Sequence, residues 1–247
     1  MTDKKNIKLI IEYDGTDFCG WQSQKRDRNV QDVVSEAIEK VIQHKVKLVG
    51  SGRTDSGVHS LGQVAHFKTN SKLPLESIVL GTNANLPNDV VIKSAEYVPD
   101  NFNARFDARL RWYRYVILNR RIGEAVSRYY HTHIPYKLKI QAMRKAVKYL
   151  VGEHNFAGFR SIHCSAKTTV RTVTEAVLKK EQDYIIIDIK ANAFLHSMVR
   201  IIVGTLIEIG KGKYKPERIK EILDKKDRKS AGPTAPAQGL TLMAVYY

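Results

Sequence analysis

Strand-period and helix-period segments interleave along the whole of this chain, and no low-complexity linker separates them. That alternation restricts the chain to mixed architectures in which helices cover a sheet. Residues 6–13 alternate, with Ile7, Leu9, Ile11 and Tyr13 on one face, and read as a strand. Asn29 is placed to cap a helix over 30–44, where Val30, Val34, Ile38 and Ile42 recur at helical spacing. Strands are predicted at 46–51, 60–68 and 89–98, with a helix opened by Pro74 before the last of them. The second half has a β segment at 109–118 dominated by aromatic and β-branched residues, then a helix over 139–151. A polar, mobile-looking stretch at 160–169 precedes strands at 170–180 and 184–191. An apolar helix over about 195–209, ended by Gly210, is followed by a short basic helix near 216–226, a Pro/Gly/Ala-rich loop at 230–239 and a last strand at 240–246. The expected class is α+β (α/β mixed), with two tightly packed halves.

The chain has 247 residues, 43% of them hydrophobic, enough for one large domain or two halves with a real core. At 27%, charged residues match the globular norm and exclude wholesale disorder. The formal net charge is +16, and it is unevenly divided. Residues 1–107 carry 14 basic and 14 acidic side chains, whereas 108–247 carry 27 and 11. The expected domains are therefore a neutral half, 1–107, and a basic half, 108–247, that supplies most of the grip on a polyanion. Two cysteines, Cys19 and Cys164, exclude a disulfide framework. No apolar run follows the first residues, and the longest apolar stretch, near 201–209, is interrupted by Thr205 and Glu208. A cytoplasmic protein with no membrane span is the expectation.

Several common site motifs are missing. Gly50-Ser51-Gly52 opens like a dinucleotide fingerprint, but Asp55 stands where the third glycine belongs. There is no phosphate-binding Walker sequence and no zinc-deaminase pattern, and His131 with His133 is a poor metal site. A metal at that pair is not expected. What stands out is Arg53-Thr54-Asp55 in a loop bounded by Gly52 and Gly57. An Asp beside an Arg stays ionised and can serve as nucleophile or base, or the run is an Asx-turn with a surface arginine. Arg200, inside the apolar helix, is expected to be buried and therefore to need an anionic partner. In Arg109–Tyr115, alternation puts Arg111, Tyr113 and Tyr115 on one face. Aromatics mixed with arginines suit base stacking with phosphate contact, or a half-buried strand with snorkelling arginines.

These residues together resemble the TruA family of tRNA pseudouridine synthases, whose Arg-Thr-Asp-x-Gly-Val-His core appears here as Arg53–His59. The similarity extends through Tyr13–Gln22, Asn103–Phe106, Arg111–Tyr115, Phe194–Gly204 and Pro236–Leu240. Ser56 and Ser60 stand where alanine is common in the family, and Trp112 is bulkier than the usual residue. The resemblance implies the pseudouridine-synthase fold, with two similar halves sharing a mixed, mostly antiparallel sheet, flanking helices and a central cleft. It makes Asp55 the catalytic aspartate and Tyr113 the tyrosine that stacks on the target uracil. Arg53 matches the arginine that takes the place of the flipped nucleotide, and Arg200 the one that pairs with the catalytic Asp. The implied reaction is isomerisation of uridine at positions 38, 39 and 40 of the tRNA anticodon stem-loop, without cofactor, by a homodimer. Three roles stay open for Asp55: attack on C1′, addition to C6, or removal of the 2′ proton.

Overall fold

The alternating residues at the start of the chain form β1 (Lys5–Tyr13), whose Ile7, Leu9 and Ile11 face the core. In the computed structural model, which describes residues 4–24, 27–162, 164 and 166–247, the chain divides into two units. The first comprises Met1–Arg109 and Leu242–Tyr247, the second Leu110–Thr241. Lys25, Arg26 and the first three residues lie outside the described residues, as do His163 and Ser165 of the polar stretch at 160–169.

In the first unit β1 is followed by α1 (Val30–Ile42), β2 (Val49–Gly50), β3 (His59–Thr69), α2 (Leu75–Asn85) and β4 (Val90–Val98). β1 pairs antiparallel with β3 on one side, Leu9 opposite Ala65, and with β4 on the other, Leu9 opposite Ala95. α1 begins where the sequence placed its cap: the Asn29 side chain accepts from the Asp32 N–H at 2.9 Å. Its buried Val30, Val34, Ile38 and Ile42 join the β1 face, Phe67 and Ile78 in one hydrophobic cluster. Only Val49 and Gly50 of the expected strand at 46–51 pair in the sheet.

The second unit contains β5 (Leu110–Leu118), β6 (Thr132–His133), α3 (Ile140–Val147), β7 (Gly152–Asn155), β8 (Val170–Glu181), β9 (Tyr184–Ala191), α4 (Met198–Lys211) and α5 (Arg218–Lys225). The strand β10 (Leu240–Tyr246) starts in this unit and ends in the first. Strand order is β5-β9-β8-β7, antiparallel throughout, with β6 parallel to β5. Ile185, Ile187 and Ile189 alternate along β9 with no exposed surface, opposite Ile117, Tyr115 and Tyr113 of β5. Every residue of α4 from Ile201 to Gly210 is buried, Thr205 and Glu208 included, so the helix is a core element. The mixed α+β class with mostly antiparallel pairing is as expected. Among the described residues no helix is long and apolar enough to cross a membrane.

Several boundaries differ from the sequence reading. α3 stops at Val147 and tightens into a 3₁₀ turn at Lys148–Leu150. α4 begins at Met198 and runs past Gly210 to Lys211, ending where Gly212 takes φ 83°. Gly210 is a packing glycine: a Cβ there would stand 2.7 Å from Met143 Sδ of α3. Tertiary packing, not termination, explains it. The short strand β7, Gly-Glu-His-Asn, has no apolar alternation and was missed for that reason.

The tightest point in α4 is Gly204, where a Cβ would lie 1.7 Å from the Pro233 carbonyl oxygen. Gly204→Ala should therefore lower stability by about 1–3 kcal/mol or more, through overpacking against backbone that cannot rotate away. Urea unfolding checks this, and a midpoint equal to that of the unsubstituted protein would mean that the 231–236 loop yields freely.

Candidate active site

Asp55 sits in the loop Ser51–Val58, between β2 and β3, with its side chain partly buried and Arg53 exposed beside it. The loop is held from outside by the end of β1 and the segment that follows it. The buried Tyr13 hydroxyl meets Thr54 Oγ1 at 2.8 Å, and the Trp21 N–H donates to the Thr54 carbonyl at 3.3 Å. The Gly57 N–H and the Ser56 hydroxyl both donate to the Phe18 carbonyl, each at 3.2 Å. Gly20, at φ 93°, lets the chains meet: a Cβ would lie 2.4 Å from the Thr54 carbonyl oxygen. On the strand side, the Ser51 hydroxyl donates to Gln63 Oε1 at 2.6 Å, and Gln63 Nε2 returns a bond to the Gly52 carbonyl at 3.0 Å. Asp55's neighbours on both sides are thus immobilised while its carboxylate keeps partial access to solvent.

Burial of Tyr13 raises the pKa of its hydroxyl, so it stays protonated at neutral pH. The Tyr13–Gln22 run carries no obvious chemistry of its own, and its role as a clamp was not deduced from the sequence. The available signal was a pair of glycines, Gly15 and Gly20, set among Tyr13, Phe18 and Trp21.

In the second unit Tyr113 projects from β5, 8% exposed, with its ring edge-on to Phe194 at 5.0 Å between centroids. The opposite face of the strand is structural. Arg114 makes two bonds to Asp188, at 2.9 and 3.1 Å, and Trp112 Nε1 donates to the same carboxylate at 2.7 Å. Arg111 donates to the Asn192 carbonyl at 2.6 Å. Of the two readings of Arg109–Tyr115, the half-buried strand thus describes Trp112 and Arg114, and Tyr113 is buried against Phe194.

Arg200 lies in the first turn of α4 and is half-buried, not buried as the apolar run suggested, because the helix starts only two residues earlier. Its Nε donates to the Ala235 carbonyl at 2.8 Å, and the Ala235 N–H donates back to the Arg200 carbonyl at 3.0 Å. The same loop reaches β5, where Tyr115 donates to the Pro236 carbonyl at 2.8 Å and meets Thr132 Oγ1 at 2.6 Å. One loop therefore fixes both the helix that bears Arg200 and the strand that bears Tyr113. Asp55 and Arg53 belong to the first unit, Tyr113 and Arg200 to the second. Among the described residues, no group of three or more His, Cys, Asp or Glu side chains is placed to hold a metal ion.

A family model for tRNA pseudouridine synthase matches residues 9–107 and 146–247, which include Arg53, Asp55 and Arg200; Tyr113 lies between the two matched segments. The chain belongs to that family. Relatives match over nearly the full length. A tRNA pseudouridine synthase A from Thermoanaerobacter sp. (strain X514) is 47% identical over 98% of this chain and 100% of its own length. The protein of that name from Citrifermentans bemidjiense is 48% identical over 98% of each chain, and that from Acetivibrio thermocellus 46% over 98% of this chain and 100% of its own. As a member of the family, the chain carries the Arg53–His59 core on a clamped loop and the Arg111–Tyr115 block on a core strand.

The buried Tyr115 gives a pH test of this scaffold. Burial pushes its hydroxyl up to about 12, with the Thr132 hydrogen bond and the Arg200 charge pulling the other way. An unfolded tyrosine ionises near pH 10, so above that pH the unfolded state loses a proton that the folded state keeps. Stability contributed by Tyr115 should be intact below about pH 10 and fall as pH rises toward about 12. Tyr115→Phe should flatten part of that alkaline decline in denaturant unfolding, and an unchanged slope would contradict it.

Proposed function

We propose that this chain isomerises uridine to pseudouridine in tRNA, at positions 38, 39 and 40 of the anticodon stem-loop. The observation that carries the reading is the clamped Asp55 loop: a partly exposed carboxylate on backbone bonded to Phe18 and Trp21. A carboxylate that acts on a reacting sugar or base needs such fixed geometry, because misplacement by an ångström costs orders of magnitude in rate.

In the reaction the N1–C1′ bond of the uridine breaks, the uracil turns while held, and a C5–C1′ bond forms. The C5 hydrogen leaves as a proton and N1 gains one, so no oxidant, reductant or co-reactant is required. Asp55 is the catalytic group. Tyr113 offers its ring face to the uracil, Arg53 enters the space of the flipped nucleotide, and Arg200 takes the pairing role that the family resemblance assigns to it. Extruding the base from the stack costs a few kcal/mol, least near a loop, which favours an anticodon-arm target. No resident cofactor or metal takes part. The enzyme acts as a cytoplasmic homodimer, with 108–247 as the basic RNA-gripping half.

Asp55→Asn should abolish pseudouridine formation in unmodified tRNA, mapped by carbodiimide modification, while tRNA binding survives. Undiminished activity in that variant would sink the assignment. A protein that binds tRNA tightly but makes no pseudouridine would instead indicate an RNA-binding member of the family without catalysis. Charge gives a second test. Binding should weaken steeply with salt, and removing a Lys or Arg after residue 108 should reduce the slope by about 0.7–0.9 per lost phosphate contact. Removals before residue 108 should have less effect, and equal effects from both halves would contradict the asymmetric grip.

A further inference from the structure

Arg53 and Thr54, neighbours in the Asp55 loop, are each bonded to one of two consecutive residues, and both of those are bonded to a single residue of α1. The Thr54 carbonyl accepts from the Trp21 N–H at 3.3 Å, and the Trp21 carbonyl accepts from the Gln31 N–H at 3.0 Å. Alongside this backbone path runs one made of side chains. Arg53 Nε donates to Gln22 Oε1 at 3.0 Å, Gln22 Nε2 donates to Gln31 Oε1 at 2.7 Å, and Gln31 Nε2 donates to the Leu48 carbonyl at 2.8 Å.

The amide orientations in this path are forced at both ends. The Ser23 N–H, which can only donate, points at Gln31 Oε1 at 3.0 Å, and the Leu48 carbonyl, which can only accept, faces Gln31 Nε2. Gln22 must therefore turn its amino group to Gln31 and its oxygen to Arg53, whose Nε–H is a donor with no acceptor capacity. Reversing either amide would place donor against donor or acceptor against acceptor. Helix α1, packed through Val30 and Val34 into the core, is a rigid anchor for the path.

We propose that Gln22 is a positioning residue for Arg53, itself oriented by Gln31, and that this relay sets where the guanidinium waits before a nucleotide leaves its stack. An exposed arginine otherwise samples many rotamers, and tethering Nε leaves the terminal nitrogens free to meet the nucleic acid. The proposal rests on the role given to Arg53 above and adds the group that holds it ready.

The test is a double-mutant cycle between Gln22→Leu and Arg53→Ala, read by single-turnover pseudouridine formation on unmodified tRNA. It is accompanied by the tRNA Kd and by the NMR signal of the Arg53 Nε–H group, assigned through its loss in Arg53→Lys. Gln22→Leu should slow the single-turnover rate by about ten-fold while Kd changes by less than about two-fold. Combined with Arg53→Ala it should add less than about two-fold, since both substitutions break the same relay. Gln31→Leu should act in the same direction but more weakly, because its backbone bond to Trp21 persists. Gln22→Glu, which keeps an acceptor for Arg53 and loses the donor for Gln31, should fall between Gln22→Leu and the unsubstituted protein. Multiplicative losses, or an Arg53 Nε–H group as ordered in Gln22→Leu as before, would overturn the relay. If Gln22→Leu fails to fold by near-ultraviolet circular dichroism, Gln22→Glu and Gln31→Leu carry the same cycle. If the unsubstituted protein forms no pseudouridine, the proposed function fails, and the Nε–H signal alone still decides the relay.

Discussion

Backbone groups that leave a β-ladder must find other partners, and in the loop Ser51–Val58 they find them in a stretch of chain more than thirty residues away in sequence. Phe18 and Trp21 bond to that loop with their main chain and Tyr13 with its side chain, so the bonds survive only while β1, α1 and β3 hold those residues in register. Exposed loops have little to hold them. This one gains its order from the best-packed part of the first unit, where Trp21 and Phe18 are each 2% exposed. The position of the Asp55 carboxylate is thereby made a property of a hydrophobic core.

The second unit solves a related problem with different means. Its long apolar helix α4 enters through Ser197 in a left-handed conformation and has no side-chain cap. The loop after α5 replaces the missing local support: Ala235 exchanges two hydrogen bonds with Arg200, and the Gly232 N–H donates to Thr205 Oγ1 at 2.9 Å. Arg200 is therefore oriented by a carbonyl before any anionic partner is considered. Both arginines are tethered through Nε, Arg53 to a side-chain amide and Arg200 to a peptide carbonyl.

How much of this was legible from the sequence depended on whether a signal was local. The cap at Asn29, the helical spacing of Val30 to Ile42 and the aromatic strand at 110–118 are short-range patterns, and the structure has them where they were expected. Asp55, Arg53, Tyr113 and Arg200 could be selected because charged or aromatic residues in glycine-bounded or apolar surroundings are chemically conspicuous. What could not be read was long-range. Gly210 looked like a helix end because a glycine that admits Met143 of another helix has the same sequence signature as one that ends its own. Arg200 looked buried because the helix start, set by Leu195–Ser197, was placed three residues too early. Gln22 gave no signal at all, since an amide's partners, here Arg53 and Gln31, exist only once the chain has folded.

The last strand carries a further consequence. Leu242–Tyr247 complete the first unit, where the Arg109 N–H donates to the Tyr246 carbonyl at 2.8 Å and the Tyr247 hydroxyl to the Ala104 carbonyl at 2.7 Å. During synthesis, the segment that carries Asp55 emerges long before this strand, and the edge of β3 has to wait for its neighbour. Until β10 is made, the part of the β3 edge that β2 does not cover lacks its strand neighbour, so the first unit completes its sheet only when the end of the chain has been synthesised.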